Sequence, residues 1–154
     1  MKELEHVGSF RDLVVYRKVR VVAKEIFNLS KSFPAEETYS LTSQVRRSSR
    51  SIGAQIAEAW AKRRYEKHFI SKLTDADAEH QETIHWIDTA LECNYLGKAE
   101  AAKLISDLSE VGRMLNSMMR KAACFVVAIP GMYVRIPPST LPATPVTARR
   151  MAEP

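Results

Sequence analysis

Glycine and proline are scarce where they would interrupt a helix. The chain has 154 residues and only five glycines, and most of its seven prolines fall within the last 25 residues. That leaves few breaks before the tail and favours long uninterrupted helices. Cysteine is scarce too. Cys93 and Cys124 stand alone, which excludes a CxxC pair and zinc-ligand spacing, and leaves two buried or idle thiols of a reducing compartment. No apolar run approaches the roughly 20 residues that cross a membrane. The opening "MKELEHVGSF" lacks an apolar signal core. The expectation is a cytoplasmic chain with no membrane partner.

What is present suits a single domain with its own core. Hydrophobic residues make up 45% and charged residues 27%. Lys and Arg number 23 against 18 Asp and Glu, a formal charge of +5. This excess permits a polyanionic partner without requiring one.

Apolar periodicity divides the chain into four helices. Ser9 and Asp12 give an S-x-x-D start. Val15, Val19, Val22, Ile26 and Leu29 then form a seam on a helix over about 10–30. "SKSFPAEE" breaks it, and Pro34 opens a second helix over about 35–61, with Leu41, Val45, Ser48, Ile52, Ile56 and Ala59 inside. A third, over about 65–95, carries Phe69, Leu73, Ala76, His80, Thr83, Ile87 and Ala90, with Gly97 suited to its C-terminus. The fourth, over about 98–123, aligns Ala101, Leu104, Leu108, Val111, Leu115, Met118 and Ala122. Short connections make sequential helices antiparallel. The fold predicted is all-α, an up-down-up-down antiparallel four-helix bundle over 10–123. A segment over 1–9 precedes it, and an irregular, Pro-rich, largely disordered tail over 124–154 follows. "VVAIPGMYVRI" in that tail could form two short strands, although Pro-Gly fits a tight hairpin poorly.

Helix 1 has a second apolar band of Leu13, Tyr16, Ala23 and Phe27 beside its seam. One stripe is enough for a bundle helix, so the second points to another subunit or to deep burial within the same bundle; both readings stand. Beside this band Arg17, Arg20, Lys24 and Lys31 share one narrow sector, a line of roughly 20 Å at the helical rise. Such a line is either a solvated face or a strip for a phosphate backbone. On helix 2, Arg46 and Arg50 project away from the core, with Gly53 and Ala57 on the same outer side. Small residues beside arginine suit a close-packed partner. Tyr16, Phe27, Arg46, Arg50, Gly53 and Ala57 are therefore the candidate oligomer interface. Arg17, Arg20, Lys24 and Lys31, with Lys62, Arg63 and Arg64 at the end of helix 2, are the candidate nucleic-acid contacts.

Several motifs occur in order: F-R-D-L at Phe10–Leu13, F-P at Phe33–Pro34, E-x-Y-x-L-x-x-Q-x-R-R from Glu37 to Arg47, and S-I-x-x-x-I-A-E from Ser51 to Glu58. Over about residues 10–122 the chain resembles the four-helix bundle proteins encoded within intervening sequences of bacterial 23S rRNA genes. The accessory variability determinant of diversity-generating retroelements is similar to these. The resemblance implies a homopentamer with a central channel, no enzyme activity, and a basic surface that binds nucleic acid, RNA or an RNA–DNA hybrid, and a reverse transcriptase. Carried over by position, the signature residues are Gln44, Arg46, Arg47, Ser51, Ile52, Ile56, Ala57 and Glu58. Gln55 and Ala59 stand where the family usually has Asn and Gly.

Two other functions can be read from the same residues. A protein–protein adaptor would use the outer faces for polypeptide alone. A di-metal enzyme would use Glu82-Thr83-Ile84-His85, the E-x-x-H of ferritin-like bundles, near Asp75, Asp77, Glu79 and His80. One such motif is half a ligand set, and it arises readily in a Glu-rich helix. Neither a cofactor nor a metal is expected.

Overall fold

The computed structural model describes residues 7–126. Helices α1 (Val14–Leu29), α2 (Ser43–Lys62), α3 (Glu66–Glu92) and α4 (Lys98–Arg120) form an all-α four-helix bundle. Each helix packs on the next in sequence, and α1 meets α4 to close the square. The residues beyond 126, including the suggested strands, lie outside the described portion.

The inward faces are those the periodicity marks. Apart from half-buried Leu29, every seam residue named above is buried. Phe69, Ile56, Leu73, Leu108 and Leu115 are fully enclosed in the core. The Phe69 ring stacks on Phe125, 5.3 Å between centroids, at one end of the bundle. The tightest pairing is α2 against α3. Ser48 is buried there and small enough to permit it, while Ser49, also buried, faces α1. The Thr83 hydroxyl lies 3.0 Å from Ser48 Oγ and 2.8 Å from the Glu79 carbonyl, so the buried hydroxyls of this contact are satisfied.

The helix ends depart from the sequence expectation for local reasons. Ser9 and Asp12 do form reciprocal caps, with Ser9 N–H donating to Asp12 Oδ2 at 2.8 Å and Arg11 N–H to Ser9 Oγ at 3.3 Å. They cap only the 3-10 turn Phe10–Asp12, because Leu13 is extended and α1 begins after it. Helix 2 does not start at residue 35. A 3-10 turn (Ala35–Glu37) and a π turn (Thr38–Thr42) precede α2. The hydroxyls of Thr38 and Ser43 bond to carbonyls of the preceding turn, at 2.7 and 3.0 Å, and compete with regular helical pairing. Gly97 is not the terminator of α3. Asn94 is, with φ of 59° in the left-handed region that Asn tolerates, and Tyr95 N–H returns to the Ala90 carbonyl at 2.8 Å. Gly97 instead precedes α4, its N–H donating to the Glu100 carboxylate at 2.9 Å.

Candidate nucleic-acid interface

Cations of α1, of the 3-10 turn that follows it (Ser30–Ser32) and of α2 meet across the groove between the two helices. Phe27 of α1 lies at its centre, half-buried. Three cations approach its ring: Lys31 Nζ at 4.7 Å, Arg46 Cζ at 4.8 Å and Arg50 Cζ at 5.4 Å from the centroid. Arg46 is also tied down. Its Nε donates to Ser30 Oγ at 2.7 Å, and that hydroxyl donates to the Phe27 carbonyl at 3.2 Å. Arg20, Lys24 and Arg50 line a concavity of about 410 Å³ with Phe27 and Gly53. Arg50 also lines a second concavity, about 630 Å³, with Arg46, Arg47, Ser51 and Tyr39.

Neither concavity has an acidic residue in its lining. Among the described residues, none of Arg20, Lys24, Lys31, Arg46 or Arg50 has a carboxylate oxygen within 4.0 Å. The other sides of the bundle differ. Lys18 pairs with Glu110 at 2.6 Å, Lys72 with Glu58 at 2.9 Å and Asp75 at 3.2 Å, and Lys103 with Glu25 at 2.7 Å and Asp107 at 3.1 Å. Hydrogen bonds to Glu58 and Asp75, and to Glu25 and Asp107, raise Lys72 and Lys103 above the ordinary lysine value. Glu25 of α1 and Glu58 of α2 are thus turned to lysines outside the α1–α2 groove.

Not every candidate contact belongs to this groove. Arg17 is turned away from it and toward an acid: it lies 3.7 Å from Asp12, and its Nε donates to the Arg11 carbonyl at 3.1 Å. Lys62, Arg63 and Arg64 sit at the far end of α2, about 24 Å along the helix from Arg46 at its 1.5 Å rise. Arg63 stacks on Trp60, 3.9 Å from the ring centroid, and donates to its carbonyl at 2.6 Å, closing the helix end. Gly53 does not face outward with Ala57. It is buried, and a Cβ there would lie 3.5 Å from the Tyr16 ring and 3.6 Å from Val19. Tyr16 also packs edge-on against Phe10, 4.9 Å between centroids. Part of the second apolar band of α1 is thus covered by the chain itself.

The signature residues divide by role. Ile52 and Ile56 are core. Arg47 reaches from α2 to Glu82 and Glu79 on α3, braced by Gln44, while Glu58 holds Lys72. Arg46 and Ser51 line the basic groove, and Ala57 is half-buried. Residue-type reasoning missed Tyr39, which is 90% exposed beside Arg46, Arg47 and Arg50. It stands inside the E-x-Y motif, and only its position on the π turn brings it to the groove.

The E-x-x-H of α3 is committed to structure. The Trp86 indole N–H, 3.1 Å away, holds Glu82 below the ordinary carboxylate value; Arg47 adds to this, against the opposing effect of burial. Among the described residues, no three of His, Cys, Asp and Glu gather as metal ligands. His80 is buried, as Nε2 meets the Leu108 carbonyl at 2.7 Å.

These features define a class: a four-helix bundle with one acid-free cationic groove and no helix long and apolar enough to cross a membrane among its described residues. A family profile described as 23S rRNA-intervening sequence protein matches residues 11–117. The chain belongs to that family. Among solved structures, it is similar to a protein of unknown function from the S23 ribosomal protein family of Bacteroides thetaiotaomicron. The identity is 30%, the TM-score 0.63, and the match covers 70% of this chain and 96% of that one. No curated protein matches the chain.

Proposed function

We propose that this protein is a non-catalytic, self-associating bundle that binds nucleic acid, RNA or an RNA–DNA hybrid, through the α1–α2 groove. The observation that carries the reading is the gathering of Arg20, Lys24, Lys31, Arg46 and Arg50 around Phe27 without a carboxylate. Like charges repel, so such a cluster costs stability unless an anion joins it. A polyanion supplies several at once, and guanidinium groups suit phosphate. The family's description, with its reference to 23S rRNA, favours an RNA-related process as the setting. A reverse transcriptase as partner rests on the resemblance alone.

Filter binding to RNA across a salt series tests this. Five contacts to a single strand predict a slope of about −3.5 in log affinity against log salt, a loss of roughly a hundredfold between about 50 and 200 mM. An affinity that stays flat over that range rules the reading out.

Self-association is supported by a separate surface. Val14 and Val21 on α1 are 56% and 62% exposed; Val14 borders a largely apolar hollow with Met114, Met118 and Phe125, and both valines border a second with Val22, Arg17, Lys18 and Asp107. Copies of the chain packing there would remove these valines from water. Sedimentation of the pure protein should show a species of several chains, consistent with the implied pentamer. A stable single chain at high concentration would leave the groove as the property of a monomer. If that oligomer forms while nucleic acid fails to bind at any salt, the adaptor reading replaces the first.

A further inference from the structure

We infer that the groove takes an unpaired strand in preference to a duplex, with one base stacked on Tyr39 and the adjacent phosphates on Arg46 and Arg50. The inference rests on the nucleic-acid reading of this groove and specifies the form of the polymer. Tyr39 is an aromatic ring left 90% exposed, so both its faces are open to a ligand. It lines the same concavity as Arg46 and Arg50. The two arginines are themselves fixed, Arg46 by Ser30 and both by the Phe27 ring beneath them. Phe27 is occupied in holding the cations, so Tyr39 is the ring available to a ligand. The π turn sets it there, with Ser43 Oγ bonding to the Tyr39 carbonyl at 3.0 Å to anchor the backbone.

Phosphates alone would not distinguish one polymer form from another. A duplex shows its phosphates but keeps its base faces stacked inside, so a tyrosine beside the phosphate contacts has no base to cover. An unpaired strand offers both at once, and stacking on an aromatic ring tolerates any base. Tyr39 therefore contributes only to single-strand binding, while the arginines contribute to both.

Fluorescence anisotropy with a labelled homopyrimidine RNA strand, and with the same strand annealed to its complement, tests this at one salt concentration. The expected result is tighter binding of the unpaired strand. Tyr39→Ala should weaken the strand by about 5- to 100-fold, the range of one lost stack, and shift the duplex by less than about twofold. Tyr39→Phe keeps the ring and should restore strand binding; because position 39 is exposed, circular dichroism should find both variants folded. Equal affinity for strand and duplex, or a Tyr39→Ala variant that binds the strand like the parent, overturns the inference and leaves the polyanion groove standing. A parent protein that binds neither form overturns both.

Discussion

Reversing Arg20 and Lys24 together, as R20E/K24E, lowers affinity for a nucleic-acid strand by about a hundredfold and leaves the fold intact. The size follows from ion release. Each phosphate contact on a single strand adds about 0.7 to the salt slope and is worth roughly fivefold at about 0.1 M salt, so two lost contacts cost about 25-fold. The two new carboxylates then repel the phosphates they face, which accounts for the remainder. The salt slope should fall from about −3.5 toward −2. Both residues are exposed on α1 and line the groove with Phe27 and Arg50. Arg and Lys have nearly the helix propensity of Glu, so thermal unfolding should barely move. The control is R113E/R120E, an equal change in net charge at exposed positions of α4. It should cost no more than a few-fold. If the control weakens binding as much as R20E/K24E does, then bulk charge rather than this groove attracts the polymer.

The second large effect concerns stability. Gly112→Ala should destabilise the bundle by about 2–4 kcal/mol, although alanine is the better helix former by about 1 kcal/mol. Gly112 is buried in α4 beneath the ring of His80. A Cβ there would stand 2.9 Å from His80 Cε1 and 3.3 Å from Nε2, inside the contact limit. The ring cannot yield cheaply, since it is 3% exposed and bonded through Nε2 to the Leu108 carbonyl one turn earlier. Overpacking costs about 1–3 kcal/mol, and displacing the ring leaves a buried polar group unsatisfied at a similar cost. Together these exceed the helix-propensity gain. Gly53→Ala is the contrast: its Cβ would make ordinary contacts at 3.5 and 3.6 Å, so the gain of up to about 1 kcal/mol should be realised. Urea unfolding of both variants reads the two signs. Adding His80→Ala to Gly112→Ala should recover part of the loss, as expected for residues in contact. A Gly112→Ala protein as stable as its parent would show that His80 has room to move.

Most of the fold was legible because burial on a helix repeats every 3.6 residues, and few glycines or prolines interrupt that repeat. His80 and Thr83 could be placed inside on periodicity alone, despite being polar. Helix ends were harder to read. They depend on single bonds, such as the Glu100 carboxylate at Gly97 or the hydroxyls around the π turn, and several local geometries satisfy the same residue types. The site was legible only in part. Arg20, Lys24 and Lys31 could be grouped because helical spacing puts them in one sector, although Lys31 lies in the 3-10 turn just after α1. Arg46 and Arg50 were set apart from them, although both approach the Phe27 ring that Lys31 also covers. The acid partner of Arg17 was missed because the chain turns at Leu13 and brings Asp12 back toward it.

The sequence by itself determined the four helices, their inward faces and an excess of positive charge, since these follow from residue type and local spacing. Only the tertiary structure decided which cations stay without a carboxylate and which ring they surround. Charges on α1 and α2 are neighbours across a helix interface rather than along the chain, and a one-helix wheel holds no information about the helix beside it.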